Sequence, residues 1–150
     1  MKVFFDTSFF VEYFRGNENA RRIYEELKNY EYFTSLNVVE ETTYILMKFT
    51  ASDFVKLEKH YEVIKKLKED SNVYEKSLKN AKLFYSSILH DGFQILPLPS
   101  WDLVLEIMER YRLLPNDALI AATCKHYGIK KIATFDEDFR RVDFLQVVEL

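Results

Sequence analysis

Cysteine occurs once, at Cys124, so no internal disulfide can form and packing must hold the fold. That usage suits a reducing cytoplasm, the expected compartment. Glycine and proline occur three times each, which leaves little for long irregular loops and favours long helices. No apolar run is long enough to cross a bilayer, and Met1-Lys2-Val3-Phe4-Phe5-Asp6 lacks the apolar core of a signal peptide. A basic excess is missing too: 21 Lys and Arg face 24 Asp and Glu, a net charge of -3. This excludes a protein that binds phosphate over its whole surface. A nucleic-acid function would need a local basic surface or bound cations.

What is present is ordinary for one globular domain: 150 residues, 48% hydrophobic and 30% charged. Val3-Phe4-Phe5 is a short, continuous apolar run, the pattern of a strand buried on both faces. Tyr32-Phe33-Thr34, Gln94-Ile95-Leu96, Ile132-Ala133-Thr134-Phe135 and Leu145-Gln146-Val147-Val148 read as further strands. Helices are predicted between them: one ending near Gly16, then Glu18–Asn29, Leu36–Phe49, Val73–Leu89 and Asp117–Tyr127. Asp53 is the expected N-cap of another helix, carrying Phe54, Leu57, Tyr61, Ile64 and Leu67, and Ser100 can cap one more. Gly128 is placed to end the helix that Pro115 opens. Alternating strands and helices predict an α/β fold with a mainly parallel sheet of four or five strands and helices on both faces.

Three acids stand at telling positions. Asp6 ends the first strand, Asp136 ends the fourth, and Asp117 begins a helix. In open parallel sheets the reactive crevice lies beyond the carboxyl ends of the strands. Each acid also has an ordinary role, Asp6 and Asp117 as helix caps, Asp136 and Asp138 as turn residues. Their convergence is what points to chemistry. Two like charges ~4 Å apart repel by about 4 kcal/mol at an effective dielectric near 20. A hard divalent cation relieves this, and oxygen ligands favour Mg²⁺ or Mn²⁺. His60, His90 and His126 are far apart in sequence, so no soft-metal cluster competes.

Four short motifs follow in order along the chain: Asp6-Thr7-Ser8; Thr34-Ser35 with Val38 and Glu41-Thr42; Asn116-Asp117-Ala118-Leu119-Ile120-Ala121-Ala122-Thr123; and Thr134-Phe135-Asp136-Glu137-Asp138-Phe139. In that order they resemble the opening, second, third and fourth acidic motifs of the PIN-domain family, and within it of the VapC-type toxin ribonucleases. The second acid is a choice between neighbours. Glu41 falls at the edge of its helix's apolar face while Glu40 points away, so Glu41 is preferred.

The resemblance implies a three-layer sandwich over residues 1–150, with about 50–91 as a helical extension within the single domain. It implies an Mg²⁺- or Mn²⁺-dependent endoribonuclease on single-stranded RNA, with Asp6, Glu41, Asp117 and Asp136 catalytic and Asp6, Asp117 and Asp136 on the metal. Thr7, Ser8 and Thr134 are candidates to hold carboxylates or phosphate. A small antitoxin and homodimerisation are implied as well, and Phe9, Phe10, Tyr13 and Phe14 would suit an interface if exposed. Two basic groups are candidate RNA contacts: Lys125, Lys130, Lys131, Arg140 and Arg141, and Lys48, Lys56, Lys59, Lys65, Lys66 and Lys68. Three other readings are a non-catalytic binding module, an RNA-processing nuclease outside toxin–antitoxin systems, and a phosphatase with Asp6 as nucleophile. The last is disfavoured, since position 8 is Ser and no Gly-rich phosphate loop occurs.

Overall fold

The computed structural model describes residues 1–55 and 59–149. It divides into two units, one of residues 1–39 and 92 onward, the other of residues 40–91.

The first unit is built on β1 (Lys2–Phe5), β2 (Glu31–Ser35), β3 (Gln94–Leu96), β4 (Lys131–Ala133) and β5 (Gln146–Val147). They form one sheet in the order β3-β2-β1-β4-β5, with every pairing parallel. β1 is central, and Val3, Phe4 and Phe5 are fully buried, as its unbroken apolar run requires. The chain proceeds from β1 to β2 and β3 on one side, then returns to β4 on the other. The β1–β4 seam is therefore a topological switch point, the place beyond whose carboxyl end open parallel sheets bind their ligands. Crossovers to either side of β1 put helices on both faces.

The helices of this unit are α1 (Thr7–Phe14), α2 (Glu18–Glu26), the start of α3 (Leu36–Val55), α6 (Trp101–Tyr111) and α7 (Pro115–His126). Phe5 anchors the aromatic core, with ring centroids 4.9 Å from Phe9, 5.1 Å from Tyr32 and 5.0 Å from Phe93. Phe9 and Phe10 are buried, so two of the four aromatics suggested for an interface are core, while Phe14 is exposed. Within β2, the buried Thr34 hydroxyl donates to the Phe5 carbonyl at 3.0 Å, so this polar side chain costs the core nothing. β4 is shorter than predicted. It ends at Ala133 because the Thr134 hydroxyl takes up the Asp136 N–H and turns the chain out of the sheet.

Gly128 follows α7 at φ +66°, and an added Cβ there would meet no atom within 4 Å. Gly128→Ala thus isolates left-handed backbone strain from crowding. It is expected to lower stability by about 1 kcal/mol, read as a lower urea midpoint at unchanged slope.

The second unit holds the rest of α3, α4 (His60–Glu69) and α5 (Ser71–His90). Ala51, Val63, Leu67 and Val73 form its core, with Met47 and Ile64 against them. α3 runs unbroken through Asp53, which is therefore not an N-cap; no Gly or Pro between residues 36 and 55 stops the helix. α4 starts instead at His60. Tyr61 is exposed, because Val63 and Leu67, four apart, define the buried face. Leu57 and Lys56 lie outside the described residues.

Candidate metal centre

Three acids stand at element ends near the β1–β4 switch point. Asp6 follows β1 and N-caps α1, accepting from the Phe9 N–H at 2.9 Å. Asp117 sits in the first turn of α7, whose N-cap position is Leu114 and whose first residue is Pro115. Asp117 is therefore not the cap, and its carboxylate stands at the positive end of the helix dipole. Asp136 follows β4, where it caps a 3₁₀ turn (Glu137–Arg141) by accepting from the Asp138 N–H at 2.8 Å.

Asp117, Asp136 and Asp138 each offer a carboxylate oxygen, and these oxygens all lie within 4.8 Å of one another. Asp117 and Asp136 are half-buried and Asp138 is exposed. Phe139 fixes this turn, since its side chain is fully buried and holds Asp136 and Asp138 at the rim. Asp138 also pairs with Arg141 at 2.9 Å. The donor set is three carboxylates and all oxygen. It fits a hard divalent cation and offers nothing to a thiophilic one.

Asp6 lies one hydroxyl behind this trio. It is 3% exposed, and Thr134 Oγ1 donates to its Oδ2 at 2.5 Å while accepting the Asp136 N–H at 2.9 Å. Ser8 Oγ donates to the other oxygen at 2.8 Å and accepts the Phe135 N–H at 2.9 Å. Burial raises the Asp6 carboxyl to a pKa of about 7; the bonds from Thr134, Phe9 and Ser8 oppose the shift, and the charge of Asp136 adds to it. Thr134 thus ties the buried acid to the backbone of an exposed one. Thr134→Val is expected to cost about 1–3 kcal/mol by stranding the Asp136 N–H and a buried carboxyl oxygen, whereas Thr134→Ser should retain most of the stability. Urea unfolding of both variants checks this.

Glu41 belongs to the second unit, half-buried on α3, and Glu40 is exposed, the sidedness that helical phase predicts. Thr7 is buried in the first turn of α1. Asn37 is a neighbour of the centre that sequence reasoning missed. Ser35 Oγ donates to Asn37 Oδ1 at 2.5 Å, and Asn37 Nδ2 donates to Asn116 Oδ1 at 2.9 Å, beside Asp117. The bond spans 79 positions, and no local spacing announces it.

A parallel sheet with acids gathered at its switch point is the architecture of a PIN domain. The PIN domain family matches residues 3–145, and the chain belongs to that family. It is 36% identical to Ribonuclease VapC2 of Methanocaldococcus jannaschii over 154 residues, covering 99% of this chain and 94% of that protein. It is also 36% identical to Ribonuclease VapC6 of the same organism, covering 98% and 96%. Among solved structures, a toxin–antitoxin complex from Klebsiella pneumoniae superposes with a TM-score of 0.65 at 17% identity, covering 99% of this chain and 97% of that one. At that identity the likeness speaks for the fold alone. No described helix is long and apolar enough to cross a membrane.

Proposed function

We propose that this chain is a divalent-metal-dependent endoribonuclease that cleaves single-stranded RNA, the toxin of a toxin–antitoxin pair. The observation that supports it most is the gathering of the Asp117, Asp136 and Asp138 oxygens within 4.8 Å. Two relatives of nearly equal length are named ribonucleases, and a structural neighbour is a toxin–antitoxin complex. The partner would be a small antitoxin, the assembly a homodimer and the compartment the cytoplasm.

Asp117 and Asp136 would hold Mg²⁺ or Mn²⁺, with Asp138 and Asp6 as further acidic ligands and Glu41 as the fourth catalytic acid. Bound there, the cation would supply Lewis-acid stabilisation of phosphate charge and a lowered pKa for attacking water. The chain's own residues set the stage for this. Ser8 and Thr134 fix the Asp6 carboxyl in one orientation. Burial raises the Asp6 carboxyl in the metal-free protein, and a cation bound beside it would draw it back to the ionised form. The amino end of α7 carries positive partial charge beside the Asp117 carboxylate and would favour a phosphate approaching it.

The test is cleavage of single-stranded RNA by purified protein with Mg²⁺ or Mn²⁺, with an EDTA control. Cleavage that EDTA stops supports the proposal. No cleavage of any RNA with either ion, alongside tight binding of a protein partner, would favour a binding module instead.

A further inference from the structure

The basic group beside the third and fourth motifs separates in the fold. Lys131 donates to the Tyr30 hydroxyl at 2.9 Å, Arg140 pairs with Glu137 and Glu149, and Arg141 pairs with Asp138. Lys125 and Lys130 stand elsewhere, at the other end of α7 from Asp117. Eight residues of helix put Lys125 about 12 Å along the axis from that acid. There a cavity of about 490 Å³ opens, lined by Arg110, Tyr111, Lys125, Lys130, Asp143 and Phe144 among others. Its walls come from the ends of α6 and α7 and the loops that precede β4 and β5. It faces the amino ends of those strands, whereas the acids face the carboxyl ends.

The charge of this cavity is unbalanced. Asp143 is already engaged, by Arg110 at 3.1 Å and by the Tyr111 hydroxyl. Among the described residues, no carboxylate lies within ion-pair distance of Lys125 or Lys130, and both are exposed. The carbonyls ending α6 and α7 carry partial negative charge, which Arg110 and Lys125 answer. Lys130 lies beyond either helix and is in surplus. Aromatic surface adjoins these cations: Lys125 Nζ is 5.4 Å from the Phe144 ring centroid, and Tyr111 meets Phe144 edge-on at 5.9 Å.

A bare anion would leave the rings unused, and a neutral ring would leave the lysines unused. We propose that this cavity binds a nucleotide, with its base against Phe144 and its phosphate between Lys125 and Lys130. Asp143 then faces the N–H or O–H donors of the base or ribose. The volume suits one nucleotide. The same chemistry can come from a free mononucleotide or from one residue of an RNA chain. The inference does not rest on the proposed ribonuclease activity.

The experiment is calorimetric titration of adenosine 5′-monophosphate into the protein in EDTA, which removes cation-held binding at the acidic centre. Wild type and Asp117→Asn are expected to bind equally. Lys125→Gln/Lys130→Gln is expected to weaken binding at least about tenfold. Phe144→Leu, which keeps apolar volume but removes the aromatic face, should weaken it severalfold. Circular dichroism confirms that each variant is folded. Inorganic phosphate should bind more weakly than the nucleotide. A 2′-O-methyl RNA pentamer that binds more tightly than the mononucleotide, with the same lysine dependence, identifies an RNA chain as the source. Equal or weaker binding of the pentamer identifies the free nucleotide. The proposal is overturned by no binding at millimolar nucleotide, by affinity unchanged in the lysine and Phe144 variants, by phosphate binding as well as nucleotide, or by an acidic peptide displacing the nucleotide.

Discussion

Asp117→Asn is expected to abolish metal-induced stabilisation and to lower RNA cleavage at least about a hundredfold, with the fold intact. The substitution keeps shape and removes one of three clustered charges. Asp117, Asp136 and Asp138 hold oxygens within 4.8 Å of one another, so each pair repels by about 1 kcal/mol even in water-like dielectric. Without metal, the Asn variant should therefore melt at or above the wild-type temperature. With Mn²⁺ the order should reverse, because only the wild type gains binding energy on the folded side. A general packing defect would lower both melting temperatures. Thermal melts with EDTA and with Mn²⁺, run beside a cleavage assay, check both halves.

The second large effect is a pH dependence set by Asp6. Its carboxyl has a pKa of about 7 in the folded protein against 3.8 unperturbed, and burial is the leading cause. Between those values the folded state holds a proton that the unfolded state has released. By linkage, the contribution of Asp6 to stability is greatest below about pH 4, falls as pH rises, and levels off above about pH 7. The full span is on the order of 4 kcal/mol in the metal-free protein. Asp6→Asn removes this titration, because the Ser8 and Thr134 hydroxyls can rotate to accept from an amide. Metal-free Asp6→Asn should equal wild type near pH 4 and exceed it by a few kcal/mol at pH 8, yet be inactive on RNA. Urea midpoints of both proteins in EDTA across this range measure the difference, which cancels every other titrating group. A constant difference would show that Asp6 ionises freely in the fold.

The sheet was legible because its strands are buried on both faces. Val3-Phe4-Phe5 cannot be mistaken for a half-exposed strand, and strands alternating with helices leave few topologies. Asp6 and Asp136 could be placed at strand ends for the same reason. The misreadings arose where local patterns were ambiguous. Asp53 reads as a cap, yet no glycine or proline interrupts α3 before it, and propagation of a formed helix outweighs one potential cap. The cluster itself was only partly legible. Asp138 could be read as a turn residue, and its arrival beside Asp117 depends on how Phe139 buries the 3₁₀ turn, a long-range packing event. The hydroxyl relay from Thr134 to Asp6 spans 128 positions and the Asn37–Asn116 bond 79, distances over which periodicity carries no information.

The most direct measurement is anomalous diffraction from crystals soaked in Mn²⁺. One strong peak, or two adjacent peaks, bonded to Asp117 and Asp136 and removed in Asp117→Asn crystals, is the predicted result. A fully occupied Mn²⁺ elsewhere, or none at these acids while the soaked protein still cleaves RNA, would contradict the assignment of this cluster as the metal centre.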